Sequence, residues 1–135
     1  MMNTYRDFAT NLHQLLDGHS AVRITVSDYI PLSVEEIGTD GEGDRLVSLC
    51  HYGDQNGDLM RDPDIVFLFH NGPDGMAAEP VSFRNDYLGI VQEVYRYDET
   101  GRRTHVVPSL KQELKEFAES WFANLKDQGF FAATA

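Results

Sequence analysis

The residues of this chain best equipped for chemistry lie together in one stretch, HYGDQNGDLMRDPD, residues 51–64. It carries an imidazole, His51, and the carboxylates Asp54, Asp58, Asp62 and Asp64, with Arg61 as the single cation among them. Imidazole and carboxylates can hold a divalent ion and leave positions open for water, the arrangement of a metal-dependent hydrolase. Asp54, Asn56 and Asp58 also match the first three oxygen positions of an EF-hand loop. The match stops there, because Leu59 stands where that loop needs glycine and Ile65 where it needs a bidentate glutamate. On a regular hairpin the side chains alternate between faces and diverge, so turn capping and solvation account for these aspartates more simply than a metal site does. No metal and no cofactor is expected.

Cys50-His51 is the only adjacent thiol–imidazole pair. Neighbours on a strand project to opposite faces, which excludes a nucleophile–base dyad between them, and Cys50 reads as a small core residue. His13, His19, His70 and His105 fall in no zinc or nucleophile signature. The acidic loop GTDGEGD, residues 38–44, has neither the Lys-Ser/Thr ending of a phosphate-binding loop nor a dinucleotide fingerprint. Its glycines read as a turn, and the loop is expected to be mobile. What is left is a recognition surface: Asp54, Asn56, Asp58, Arg61, Asp62 and Asp64 around a hairpin tip, with Arg61 orienting the cluster. Asp86 and Tyr87 read first as a turn with an aromatic cross-strand contact, and second as an extension of that surface.

The element that must present these residues is a hairpin over Val47–Phe69. Two β-type runs flank Asn56-Gly57, the pair best suited to a type I′ turn because both central positions need φ > 0. Ile65–Phe69 is apolar at every position, as in a central strand, and Asp62-Pro63 is expected to fix where its pairing begins. Before the hairpin, Tyr5, Phe8, Leu12, Leu15 and Leu16 form one face of a helix capped by Asn3 or Thr4 and ended by Gly18. Val22, Ile24 and Val26 then alternate as a strand, and Leu32 and Val34 suggest another. After it, HNGPDG (70–75) reads as a loop, and PVSF, LGIVQEVYRYD and THVV read as strands. Ser109 with Gln112 makes a capping-box pattern for a final helix whose stripe is Leu110, Leu114, Phe117, Trp121 and Leu125. Gly129 ends that helix, and Trp121 is expected to be buried. The fold class is therefore α+β, one domain over 1–135: an antiparallel sheet of six or seven strands with both amphipathic helices on one face.

Composition narrows the function. The chain has 135 residues and a net charge of −11, so its surface repels phosphate backbones and favours basic partners. Ten of the acids fall between Asp28 and Asp64, against Arg45 and Arg61. With one cysteine no intrachain disulfide or multi-cysteine zinc site can form, and a reducing cytoplasm is expected. No apolar run approaches the roughly 20 residues of a membrane span, and no secretory leader is legible.

Three blocks, HYGDQNGDLMRDPDIVF (51–67), NDYLGIVQEVY (85–95) and SWFANLKDQGF (120–130), are similar to a group of small, functionally uncharacterised domains encoded on conjugative plasmids, integrative elements and phages. The resemblance implies a mobile-element context, in which small acidic proteins often act on host defence systems. The expectation is an interaction protein that inhibits a nucleic-acid-binding defence complex, of anti-CRISPR or antirestriction type, by covering a basic surface. A small metal-dependent hydrolase and a self-associating plasmid or phage accessory protein are the alternatives.

Overall fold

The computed structural model describes residues 4–72 and 75–134. Helix α1 (Thr4–Leu16) is followed by β1 (Ala21–Ile24), β2 (Leu32–Thr39), β3 (Arg45–Gln55), β4 (Asp58–Gly72), β5 (Gly75–Asn85) and β6 (Ile90–Glu93). These six strands form one antiparallel sheet in chain order, each paired with the next. A separate two-stranded sheet of β7 (Tyr95–Tyr97) and β8 (Arg103–Val106) precedes α2 (Pro108–Asp127) and a 3-10 turn, Ala132–Thr134. The class is α+β, as expected. No helix among the described residues is long and apolar enough to cross a membrane.

The Asn56-Gly57 turn has φ of 55° and 89°, so the residues able to enter the left-handed region occupy it. β4 is central, with β3 on one side and β5 on the other. Asp17 (φ 48°) and Gly18 (φ 82°) stop α1 by turning the backbone left-handed. Asn3, one of its two expected caps, lies outside the described residues.

Four local expectations are corrected. Asp62-Pro63 does not mark the start of a strand: β4 begins at Asp58 and runs through it, the register shifting between Cys50 and Tyr52 to absorb the extra residue. Residues 70–72 of the expected loop continue β4 and pair with Gly75–Ala77; residues 73 and 74 lie outside the described residues. The run 88–98 is two strands of different sheets, parted at Val94, which is fully buried and donates its N–H to the Val81 carbonyl (2.8 Å). Helix α2 starts one residue early, at Pro108, behind Val107 and without a side-chain cap. Proline suits that first helical position because its fixed φ is helical and its absent N–H would have no helical acceptor.

Val47 and Leu49 of β3 and Ile65, Phe67 and Phe69 of β4 enter a single core cluster with Phe8, Leu12, Leu15 and Leu16 of α1 and Ala118, Trp121, Phe122 and Leu125 of α2. Phe8 meets Phe67 edge-on at 5.8 Å, joining α1 to the middle of the sheet. Phe117, expected on the α2 stripe, is 40% exposed at its margin, where it packs on Phe83 and Trp121. A buried carboxylate lies beside the apolar interior. Glu79 of β5 accepts a hydrogen bond from the Tyr95 hydroxyl (2.7 Å) and stands 3.1 Å from Lys111 Nζ, linking β5, β7 and α2.

His51 is half-buried at the margin of this interior, packed 5.6 Å from the rings of both Trp121 and Phe130. Burial lowers its pKa, although a bond with the Pro31 carbonyl (3.2 Å) opposes the shift. The unfolded chain therefore binds this proton more readily, and stability present above about pH 6.5 is lost as pH falls towards the folded-state value. Equilibrium unfolding between pH 7.5 and 5.5 should show stability declining with acid, and His51→Phe should flatten that decline. The residual slope belongs in part to His13, whose pKa burial also lowers. An unchanged slope in the variant would place the titration elsewhere.

Candidate functional site

The ladder between β4 and β5 starts at Asp64 opposite Arg84, whereas β3 and β4 stay paired out to Gln55 opposite Asp58. Residues 52–61 therefore form a two-stranded ribbon running past the rest of the sheet. Its tip carries Asp54 and Asp58, both exposed, and Leu59, exposed to 72%. Asp54 Oδ1 accepts the Gly57 N–H (2.8 Å), so this carboxylate also closes the turn, while Asn56 supplies the left-handed corner.

The other residues read as one cluster separate into two groups. Arg61 donates its backbone N–H (2.8 Å) and its Nε (3.0 Å) to Asp86 Oδ2, and its carbonyl accepts the Asp86 N–H (2.9 Å). These bonds hold the Asp86 carboxyl below its ordinary range. Arg61 thus fastens the ribbon to the β5–β6 turn; it does not orient the aspartates of the tip. Asp62 does similar work at the ribbon's base, accepting from Asn85 Nδ2 (2.8 Å). Tyr87 lies over Gly53, where a Cβ would sit 2.4 Å from the phenol oxygen, so glycine is what admits the ring. Asp64 is turned inward beside Cys50 and accepts the Ser48 hydroxyl (2.7 Å). Burial raises its pKa, opposed by the Ser48 bond and by Arg61 and Arg84. Cys50 is buried as expected, and desolvation with the neighbouring Asp64 pushes its thiol up to about 12, far from a reactive thiolate. His51 is committed to the aromatic core, and among the described residues no group of three or more His, Cys, Asp or Glu could hold a metal ion.

A second feature escaped sequence reasoning. The acidic loop between β2 and β3 is tied down: Asp40 Oδ1 accepts the N–H groups of Glu42 (3.0 Å) and Asp44 (2.9 Å). Its other oxygen accepts from the Tyr97 hydroxyl and from Arg103 Nη2, each at 2.7 Å. Arg103 also reaches Asp44, and pairs with Glu42 through Nη1 at 3.0 Å. At the same junction the backbones of Gly41 and Gly101 touch, and a Cβ on Gly41 would lie 2.3 Å from the Gly101 carbonyl oxygen. The β7–β8 hairpin is thereby clamped to the β2–β3 loop as an arch.

Under this arch the strand residues that alternate with the core positions floor a hollow of about 290 Å³. Ile37, Leu46, Val66 and Val81 supply apolar surface, with Tyr95 and Tyr97 beside them. A smaller hollow of about 140 Å³ shares Val66, Ser82 and Glu93 with it and adds Asp64 and Arg84. The only signal in the sequence was the acidic Gly-rich loop itself, because its cation, Arg103, lies 59 residues beyond Asp44.

A family model described as a domain of unknown function, DUF6908, matches residues 3–131. No curated protein and no solved structure matches the chain.

Proposed function

We propose that this chain, which belongs to the DUF6908 family, is an acidic protein-interaction module whose ribbon docks on a basic protein surface. The observation that carries this reading is the composition of the ribbon's end. The Asp54 and Asp58 carboxylates stand beside exposed Leu59, and the β5–β6 turn held by Arg61 and Asp86 adds Tyr87 and Leu88. An apolar centre with a charged rim is the make-up of a recognition surface, and the net charge of −11 steers it towards cations. In the same reading both helices cover one face of the sheet, leaving ribbon and arch free for the partner. The mobile-element resemblance gives the partner a concrete form, a CRISPR effector or restriction complex whose nucleic-acid-binding surface is covered, in the cytoplasm. Neither nucleic acid nor a membrane is a direct partner in this scheme.

The test is recovery of the tagged chain at moderate salt from a host carrying active defence complexes. A stoichiometric nucleic-acid-binding complex that dissociates as salt rises is expected. Asp58→Lys is the informative variant, because Asp58 has no side-chain bond among the described residues, whereas Asp62 holds Asn85. Capture should fall about tenfold or more on this charge reversal, a loss of roughly 1.4 kcal/mol, with the unfolding midpoint unchanged. Undiminished capture would remove the ribbon from the interface.

A further inference from the structure

We propose that the hollow under the β7–β8 arch receives an arginine side chain from the partner. This rests on the reading of the chain as a module for basic surfaces, and it names a contact that the ribbon does not supply. The Tyr97 hydroxyl is engaged by Asp40, so what Tyr97 offers an occupant is aromatic ring, whereas the Tyr95 ring already has Arg103 at 5.6 Å and Lys111 at 5.8 Å from its centre. The floor of Leu46, Val66 and Val81 is aliphatic. At the shared end stand Ser82 and Glu93, opposite each other in the β5–β6 register, neither with a side-chain hydrogen bond or ion pair among the described residues. Arg84 also borders that end, facing Asp64 across the β4–β5 register, and the smaller hollow keeps a formal excess of one carboxylate.

Each part selects the occupant. A wholly apolar group would cover Glu93 and Ser82 without pairing them, which is costly. An anion meets a carboxylate and a strongly negative molecule. A guanidinium on an aliphatic stem satisfies the site: methylenes on Val66 and Val81, the cationic plane against the Tyr97 ring, and donors to Glu93 and the Ser82 oxygen. The larger hollow of about 580 Å³ between α1 and α2 has no such aliphatic floor, since Asp7, Thr10, Asn11, Gln14, Glu119 and Lys126 make up most of its lining.

Methyl-detected NMR of the full chain, titrated with a blocked Gly-Arg-Gly peptide and with its citrulline isostere, tests the assignment. The arginine peptide should give saturable shifts at the Ile37, Leu46, Val66 and Val81 methyls. The uncharged isostere, and the arginine peptide with Glu93→Gln, should each bind about tenfold more weakly, a loss of roughly 1.4 kcal/mol. Asp58→Lys should leave these shifts in place. Shifts confined to the ribbon, equal binding of citrulline, or no saturation would overturn the proposal. Full-yield capture of a cellular partner by the Glu93→Gln chain would overturn it too, while leaving the acidic-module reading intact. Conversely, saturable arginine binding with no partner captured at any salt supports the hollow and counts against that reading.

Discussion

Lys111→Met is expected to destabilise the protein by about 3 kcal/mol at neutral pH, the lower part of the range for breaking a buried ion pair from one side. Glu79 is almost fully enclosed, with 7% of its side chain exposed, and Lys111 Nζ at 3.1 Å is its counter-charge. Without it the carboxylate keeps, among the described residues, only the Tyr95 hydroxyl, and Tyr95 loses a cation 5.8 Å from its ring centre. Because the Lys111 side chain is one-third exposed, some water can reach the gap, which argues for the lower figure. The double change Glu79→Gln with Lys111→Met should cost less than Lys111→Met alone, since it strands no charge. Chemical denaturation of the single and double variants at pH 7 measures both costs and checks their order. A deficit under about 0.5 kcal/mol would mean that Glu79 is hydrated.

Gly41→Ala should have the second large effect, and a more local one. Its new methyl would lie 2.3 Å from the Gly101 carbonyl oxygen and 2.7 Å from the Gly101 Cα. Both are main-chain atoms that cannot swing aside as a side chain would, so the arch must lift. Overpacking of this kind costs about 1–3 kcal/mol. Lifting also parts Tyr97 and Arg103 from Asp40. Tyr97 provides the readout. Burial and its bond to Asp40 push its phenol up to about 12, and in the variant one more tyrosine should titrate near 10 in ultraviolet absorbance. An unchanged titration curve would show that the arch stays seated. The same variant should bind arginine peptide less well, because the hollow loses a wall.

The parts of this fold visible in the sequence are those that short spacing encodes. The Asn56-Gly57 hairpin, the α1 stripe, most of the α2 stripe and the central β4 all follow from a few neighbouring residues and their periodicity. Errors arose where a distant segment decides the outcome. Phe117 keeps helical spacing yet sits at the edge, because Ala118 and Phe122 are the residues that meet the sheet core. The break at Val94 is made by a carbonyl of β5. The candidate site was half legible: the tip aspartates are exposed as expected, but Asp62, Asp64 and Arg61 are held by Asn85, Ser48 and Asp86, up to 25 residues away in the chain. The arch was illegible for the same reason, since Arg103 and Asp40 are separated by 63 residues.

The strictly sequential order of β1 to β6 bears on how the protein is made. Every ladder in that sheet joins a strand to its immediate successor, so each can close over a short loop as the chain leaves the ribosome. The apolar face of that sheet, with Leu49, Ile65 and Phe67 at its centre, is sealed in part by Trp121, Phe122 and Leu125 of α2. That helix emerges only after all six strands. A nascent sheet with an open hydrophobic face is the interval in which this molecule is most exposed to chaperones, proteases and its own copies.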